Sequence, residues 1–190
     1  MRMRTSTMAT VESLLTAETF AALPARDVPV ELVRGEIVEM NMPSFRHGEV
    51  CGAISEIVGG YVRRHKLGRV LTNDSGIITR RSPDSVRGAD IAYYSYRSVP
   101  KDEHPLIYAA RPPEVVFEVK SRDDRWSKIH EKVAEYLAAG VLAVCVVDPE
   151  TETVAVHHSD RPVESLTAVD ELKLPNILGD FHVVVGEFFA

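Results

Sequence analysis

Only two of the 190 residues are cysteine, Cys51 and Cys145. They sit singly in apolar stretches, with neither zinc-site nor redox-motif spacing. A disulfide framework is excluded, and both thiols read as small buried hydrophobes. No apolar run approaches the ~20 residues that span a bilayer. The opening MRMRTSTMATVESL carries positive charge but not the apolar core of a signal peptide, so a cytoplasmic protein without membrane contact is expected. Cationic excess is missing too: 22 Lys and Arg against 28 Asp and Glu give a net charge of −6. That balance argues against non-specific nucleic-acid binding through a basic surface. It leaves room for a local basic strip, or for a metal ion that offsets nearby carboxylates.

What is present suits one folded domain. Hydrophobic residues make up 45% and charged residues 26%, and the length buries a sizeable core without staples. A short helix is expected over Val11–Leu23, with Thr10 as N-cap and Pro24 beyond its end. In ELVRGEIVEM, Arg34-Gly35 separates two apolar runs, the signature of a hairpin. After Pro43-Ser44, the helical spacing of Val50, Ile54, Ile57, Val58 and Tyr61 marks a long helix. It ends in a basic turn of Arg63, Arg64, His65 and Lys66 before Gly68. Arg69–Thr72 and Ile77–Arg80 read as strands on either side of a turn at Asn73-Asp74-Ser75-Gly76, and Ala89–Tyr94 as another strand. An aperiodic, proline-bearing loop runs from Tyr96 to Pro113. Glu114–Lys120 then reads as a buried strand, Trp126–Ala139 as an amphipathic helix closed by Gly140, and Val141–Val147 with Thr153–His157 as a strand pair. One or two short strands and a turn at Val185–Phe189 complete the tail. This order describes a central mixed β-sheet flanked by helices, an α/β domain.

Buried-strand composition explains the apolar part of Glu114–Lys120 but not Glu118 and Lys120. Two apart, they share one face of a strand, with Val119 on the other. Asp90 opens the apolar stretch Ile91-Ala92-Tyr93, and pairing of the two strands would bring both carboxylates and the ammonium to one sheet edge. Such a set suits phosphodiester hydrolysis. Mg²⁺ takes carboxylate oxygens, here from Asp90 and Glu118, together with the Val119 carbonyl. The ion lowers the pKa of a bound water, and Lys120 would orient or deprotonate it.

Taken in order, Arg87-Gly88-Ala89-Asp90 and Glu118-Val119-Lys120-Ser121 resemble the Asp…Glu-x-Lys core of the PD-(D/E)XK nuclease superfamily. More specifically, the sequence resembles the Uma family of restriction-endonuclease-like proteins. The early hairpin, His47 at the head of the long helix, Gly76, PPEVVFEVKS and the run from Lys132 through Tyr136 to Gly140-Val141 all fall in the family's order. Ala89 stands where the family usually has proline, and Lys120 is present where many members lack it. The resemblance implies a restriction-endonuclease-like fold over 31–190 behind a helical extension at 1–30. It further implies a Mg²⁺-dependent endonuclease acting on DNA, with Mn²⁺ as a substitute ion, working as a homodimer.

Bland readings stand beside these. Asp90 could be a turn acid, and Glu118 and Lys120 a surface pair. Glu49 could add a metal contact from the long helix or face solvent, and His47 could be catalytic or a helix-start residue. Lys132 falls on the family's helix lysine, which could replace or assist Lys120; otherwise it is a solvated cation. Tyr136 reads as packing more than chemistry. Two rival functions remain: a catalytically inactive nuclease-fold binding module, and a metal-dependent hydrolase of a smaller phosphate ester.

Overall fold

The chain reverses where the sequence places its hairpin. Strands β1 (Val30–Val33) and β2 (Glu36–Glu39) pair antiparallel around Arg34 and Gly35, both at positive φ, 52° and 84°. Two left-handed residues in succession match the twist of the flanking strands. Residues 14–190 are described by this computed structural model. Among them, helix α1 covers only Ala17–Ala21 and is capped by Thr16, whose hydroxyl accepts from the Thr19 amide. The expected cap at Thr10 and the start of that helix at Val11 lie outside the described residues.

Helix α2 (Phe45–Arg64) follows the apolar spacing and is capped by Ser44, whose hydroxyl accepts from the His47 amide at 3.2 Å. The strand–turn–strand expected between Arg69 and Arg80 is instead one 13-residue strand, β3 (Gly68–Arg80). Asn73 and Asp74 do take positive φ, but the register shift between Thr72 and Ser75 makes them a bulge and not a reversal. Asn and Asp tolerate the left-handed region in either setting, so turn chemistry alone did not separate the two.

Strand β4 (Ser85–Ser95) pairs antiparallel with β3 and with β5 (Val115–Val119). Beyond helix α3 (Trp126–Ala139), Gly140 closes the helix at φ 104°, a conformation open chiefly to glycine. The chain then enters β6 (Ala143–Asp148), which runs parallel to β5 as an α-helical crossover requires. Strands β7 (Thr153–His157) and β8 (Glu164–Leu166) extend the sheet antiparallel. The main sheet has eight strands, in order β2-β1-β4-β5-β6-β7-β8 with β3 also on β4. In the tail, β9 (Glu171–Lys173), helix α4 (Pro175–Leu178) and β10 (His182–Val184) lead to a 3₁₀ turn at Val185–Phe188.

The fold is therefore a mixed, mostly antiparallel sheet with helices on both faces. Val50, Ile54 and Val58 of α2 meet Ile91, Phe117 and Val119 on one face, and Phe181 and Phe188 of the tail join them. On the other face Ile129, Val133 and Tyr136 of α3 meet Ala92, Val116 and Val144. Each fully buried apolar side chain contributes on the order of 1.5–3 kcal/mol. These two layers fix α2 and α3 against the open ends of β4 and β5, where the polar residues converge.

Candidate metal centre

The β4–β5 ladder ends at Ile91 and Phe117. One residue further, the Asp90 side chain takes over from the backbone, and its Oδ2 accepts the Val119 amide at 2.7 Å. That bond fixes the carboxylate beside Glu118 at the point where the strands part. Strand pairing thus brings the two carboxylates of the motif, Asp90 and Glu118, together.

Each acid is then met by a helix. From α2, His47 Nε2 lies 3.2 Å from Asp90 Oδ1. From α3, Lys132 Nζ lies 2.7 Å from Glu118 Oε2, and the Tyr136 hydroxyl donates to Glu118 Oε1 at 2.7 Å. Lys132 and Tyr136 are one helical turn apart and so share a face. Lys132 also donates to the Gly88 carbonyl at 3.1 Å, and that carbonyl lies 3.3 Å from the Tyr136 hydroxyl. Gly88 has no side chain because β3 lies against it: an added Cβ would sit 2.9 Å from Asp74 Cβ and 3.1 Å from Asp74 O.

Lys120 goes elsewhere. Its ammonium lies 3.2 Å from Glu150 and 3.7 Å from Asp148, at the end of β6, and 5.7 Å from the Trp126 ring centre. Glu118 and Lys120 do alternate onto one face, but Lys120 stands past the end of β5 and its long stem turns toward those acids. Glu49 is exposed and pairs with Arg46 at 3.5 Å, so its carboxylate faces solvent.

Several residues at the centre carried no role in the sequence reading. Glu31 of β1, 4% exposed, accepts from the Gly88 amide at 3.0 Å, from Arg87 at 2.9 Å, and lies 3.2 Å from Lys132. Arg87 in turn grips Glu135 of α3 through two bonds, at 2.8 and 2.9 Å. The signal available for Glu31 was a lone acid between apolar neighbours on a strand, which hydrophobic patterning alone passes over. Asp74 of the bulge and Asp124, whose Oδ2 accepts the Ser121 amide at 2.8 Å, complete the acidic wall.

Asp90, Glu118 and Lys132 line a cavity of about 290 Å³. Five of its residues are acidic (Glu31, Asp74, Asp90, Glu118 and Asp124), with Lys132 and His47 among them. Burial pushes the Glu118 carboxyl up to about 7; Lys132 opposes that shift and Asp90 adds to it. Burial also raises Asp74, reinforced by Asp90. Burial alone would lower His47, but the hydrogen bond and charge of Asp90 outweigh it and the imidazole is raised. Anionic oxygens crowded into one partly enclosed cavity are a donor set that a hard divalent cation satisfies, and the residues present fit such an ion.

Comparison with known proteins agrees with this frame. A family model described as "Putative restriction endonuclease" matches residues 17–186. A solved structure from Anabaena variabilis, of a protein described as a putative nuclease, shares the fold with a TM-score of 0.80 at 18% identity, covering 92% of this chain and 97% of that one. No curated protein matches the chain.

Proposed function

Because the chain belongs to the Uma2 family of putative restriction endonucleases, we propose that it is an endonuclease hydrolysing DNA phosphodiester bonds with Mg²⁺, for which Mn²⁺ substitutes. The observation that carries this reading is the pair Asp90 and Glu118 on adjoining strands of one acidic cavity, with Lys132 2.7 Å from Glu118. Asp90, Glu118 and the Val119 carbonyl are the groups that hold the ion. When bound, the ion activates water and neutralises charge developing on the phosphate.

The chain's own residues do the rest. Asp90 is aimed by the Val119 amide and Glu118 by Tyr136 and Lys132, so both carboxylates are held in fixed orientations. Lys132 supplies the positive charge beside the scissile phosphate, the role that the strand motif alone would give Lys120. Burial opposes charging Lys132, but Glu118 and Glu31 outweigh it and raise its pKa, so it serves as a fixed cation and hydrogen-bond donor more than as a base. Lys120 keeps Glu150 and Asp148 in place at the neighbouring strand end.

Cutting both strands of a duplex calls for two such centres, so a homodimer acting on intracellular DNA is the form this reading carries. Among the described residues no helix is long and apolar enough to cross a membrane. The division into an extension at 1–30 and a catalytic domain at 31–190 belongs to the same proposal. A second reading, hydrolysis of a smaller phosphate ester, is favoured by the bounded size of the cavity.

Calorimetric titration with Mn²⁺, followed by cleavage of plasmid and short phosphate esters, tests these readings. Loss of binding and of plasmid cleavage in both Asp90→Ala and Glu118→Ala is the expected result. Full metal binding in those variants overturns the site, and turnover of the small esters alone selects the second reading.

A further inference from the structure

His47 and Cys51 stand one turn apart on α2 and present their side chains to the same point, the free edge of Asp90 on β4. His47 Nε2 lies 3.2 Å from Asp90 Oδ1 and 4.0 Å from Cys51 Sγ. One ligand atom from each of the three residues falls within 4.8 Å of the other two. A tetrahedral zinc ion with bonds of about 2.0–2.1 Å to N and O and about 2.3 Å to S has N–O edges of about 3.3 Å and N–S edges of about 3.6 Å. The tripod matches those edges to within a few tenths of an ångström. Two of the residues come from one helix, a turn apart, and the third from a strand of the main sheet.

We infer that His47, Cys51 and Asp90 form a binding site for a zinc-class ion, sharing Asp90 with the hard-ion pair so that the two kinds of metal exclude one another. One nitrogen, one sulfur and one carboxylate oxygen make a borderline-soft donor set, which selects Zn²⁺ or Co²⁺ over Mg²⁺. Glu118 and the Val119 carbonyl, by contrast, offer only hard oxygen. Three protein ligands leave the fourth position open, and His47 and Asp90 both line the acidic cavity, where Asp74 and Asp124 add negative charge near the imidazole. Binding releases the Cys51 thiol proton to solvent, as thiolate ligation requires.

The rival arrangement is a plain hydrogen-bond chain, with the Cys51 thiol donating to His47 Nδ1 at 3.5 Å and Nε2–H donating to Asp90. That chain explains the contacts without an ion, and it predicts no sulfur–metal bond.

Existence of the soft site does not rest on the nuclease reading; its competition with Mn²⁺ does. The test is titration of the metal-free protein with Co²⁺, read by the near-ultraviolet thiolate-to-cobalt charge-transfer band and the visible bands of tetrahedral cobalt. One equivalent should produce both, and Zn²⁺ should bleach them. The Cys145→Ser variant, which leaves Cys51 as the single thiol, should keep the band. Cys51→Ser and His47→Gln should lose it and weaken Zn²⁺ binding by more than about 100-fold, beyond the loss an outer hydrogen bond gives. Glu118→Gln should keep the cobalt band while losing Mn²⁺. In the wild type, Zn²⁺ should displace Mn²⁺, and in Cys51→Ser it should not at the same concentration. Absence of a thiolate band in the wild type, or its loss in Cys145→Ser, overturns the inference. A cobalt band in a protein that binds no Mn²⁺ sinks the hard-ion site and leaves this one standing.

Discussion

Lys132 and Glu118, fourteen residues apart in sequence, meet at 2.7 Å between Nζ and Oε2, while Lys120, two residues from Glu118, faces Asp148 and Glu150 instead. The cation that meets the strand acid is therefore delivered by a helix and not by the strand itself. If Lys132 is the cation at the reacting phosphate, Lys132→Gln should lower cleavage by at least about 100-fold, the scale for one electrostatic donor. Lys120→Ala should retain cleavage within about tenfold. Single-turnover rates under saturating Mn²⁺ separate these effects, and a dead Lys120→Ala with an active Lys132→Gln would reverse the assignment.

The Glu31–Arg87–Glu135 chain makes a separate claim about stability. Arg87 is 6% exposed and holds two carboxylates at once. Removing it takes the paired cation from Glu135 and leaves Glu31 with Lys132 and the Gly88 amide, so Arg87→Ala should cost about 3–5 kcal/mol in urea unfolding. Arg87→Lys should recover only part, because an ammonium lacks the two-pronged geometry. Lys128→Ala, which deletes an exposed pair with Glu131 at 2.9 Å, should cost less than about 1 kcal/mol.

These two cases show where sequence reading reached and where it stopped. The strands were legible because Val115–Val119 and Ala143–Asp148 are short, nearly continuous apolar runs, and α2 and α3 obey a period near 3.6. Side-chain reach was not. Alternation fixes which face Lys120 starts from, but a four-carbon stem past a strand end goes to whichever acids the fold supplies. Glu31 had no legible role, and Cys51 read as a buried hydrophobe although it is only partly buried, since each acquires its neighbours only when β1, α2 and β4 are packed together. The Asn73-Asp74 bulge was misread as a turn because both features ask for the same left-handed backbone.

A pH dependence follows from Glu118, Asp74 and His47. Glu118 titrates near 7 in the fold against an ordinary 4.5, so the folded state binds this proton more tightly than the unfolded chain. Its contribution favours folding on the acid side and is lost as pH rises from about 4.5 through about 7. Asp74, also raised, acts in the same direction. For His47, raised by Asp90 against the effect of burial, stabilisation is complete below the unfolded value and lost as pH rises through the folded one. The metal-free protein should therefore melt several degrees higher at pH 6 than at pH 8, at about 2–4 °C per kcal/mol for a chain of this size. Glu118→Gln should flatten that slope. Mn²⁺ affinity should run the opposite way, weakening as Glu118 protonates below about 7. Calorimetry at pH 6 and pH 8 measures both signs, and a melting point that rises with pH in the metal-free protein would refute the account.

Gly88 tests whether the bulge and the proposed metal centre are coupled. Its missing side chain lets Asp74 approach, and the atoms that a methyl group would meet include the Asp74 carbonyl, which cannot swing aside as a side-chain end could. Its carbonyl also accepts from Lys132 at 3.1 Å. Gly88→Ala must push β3 and β4 apart locally, an overpacking cost of about 1–3 kcal/mol. The same displacement shifts Asp90, two residues along β4, and the anchor of Lys132. Metal affinity should fall together with stability. The control is Gly52→Ala, on α2, where an added Cβ meets nothing within 4 Å; it should leave metal affinity unchanged and raise stability slightly through helix propensity. Normal Mn²⁺ binding in a destabilised Gly88→Ala would show that the bulge supports the fold without setting the geometry of the centre.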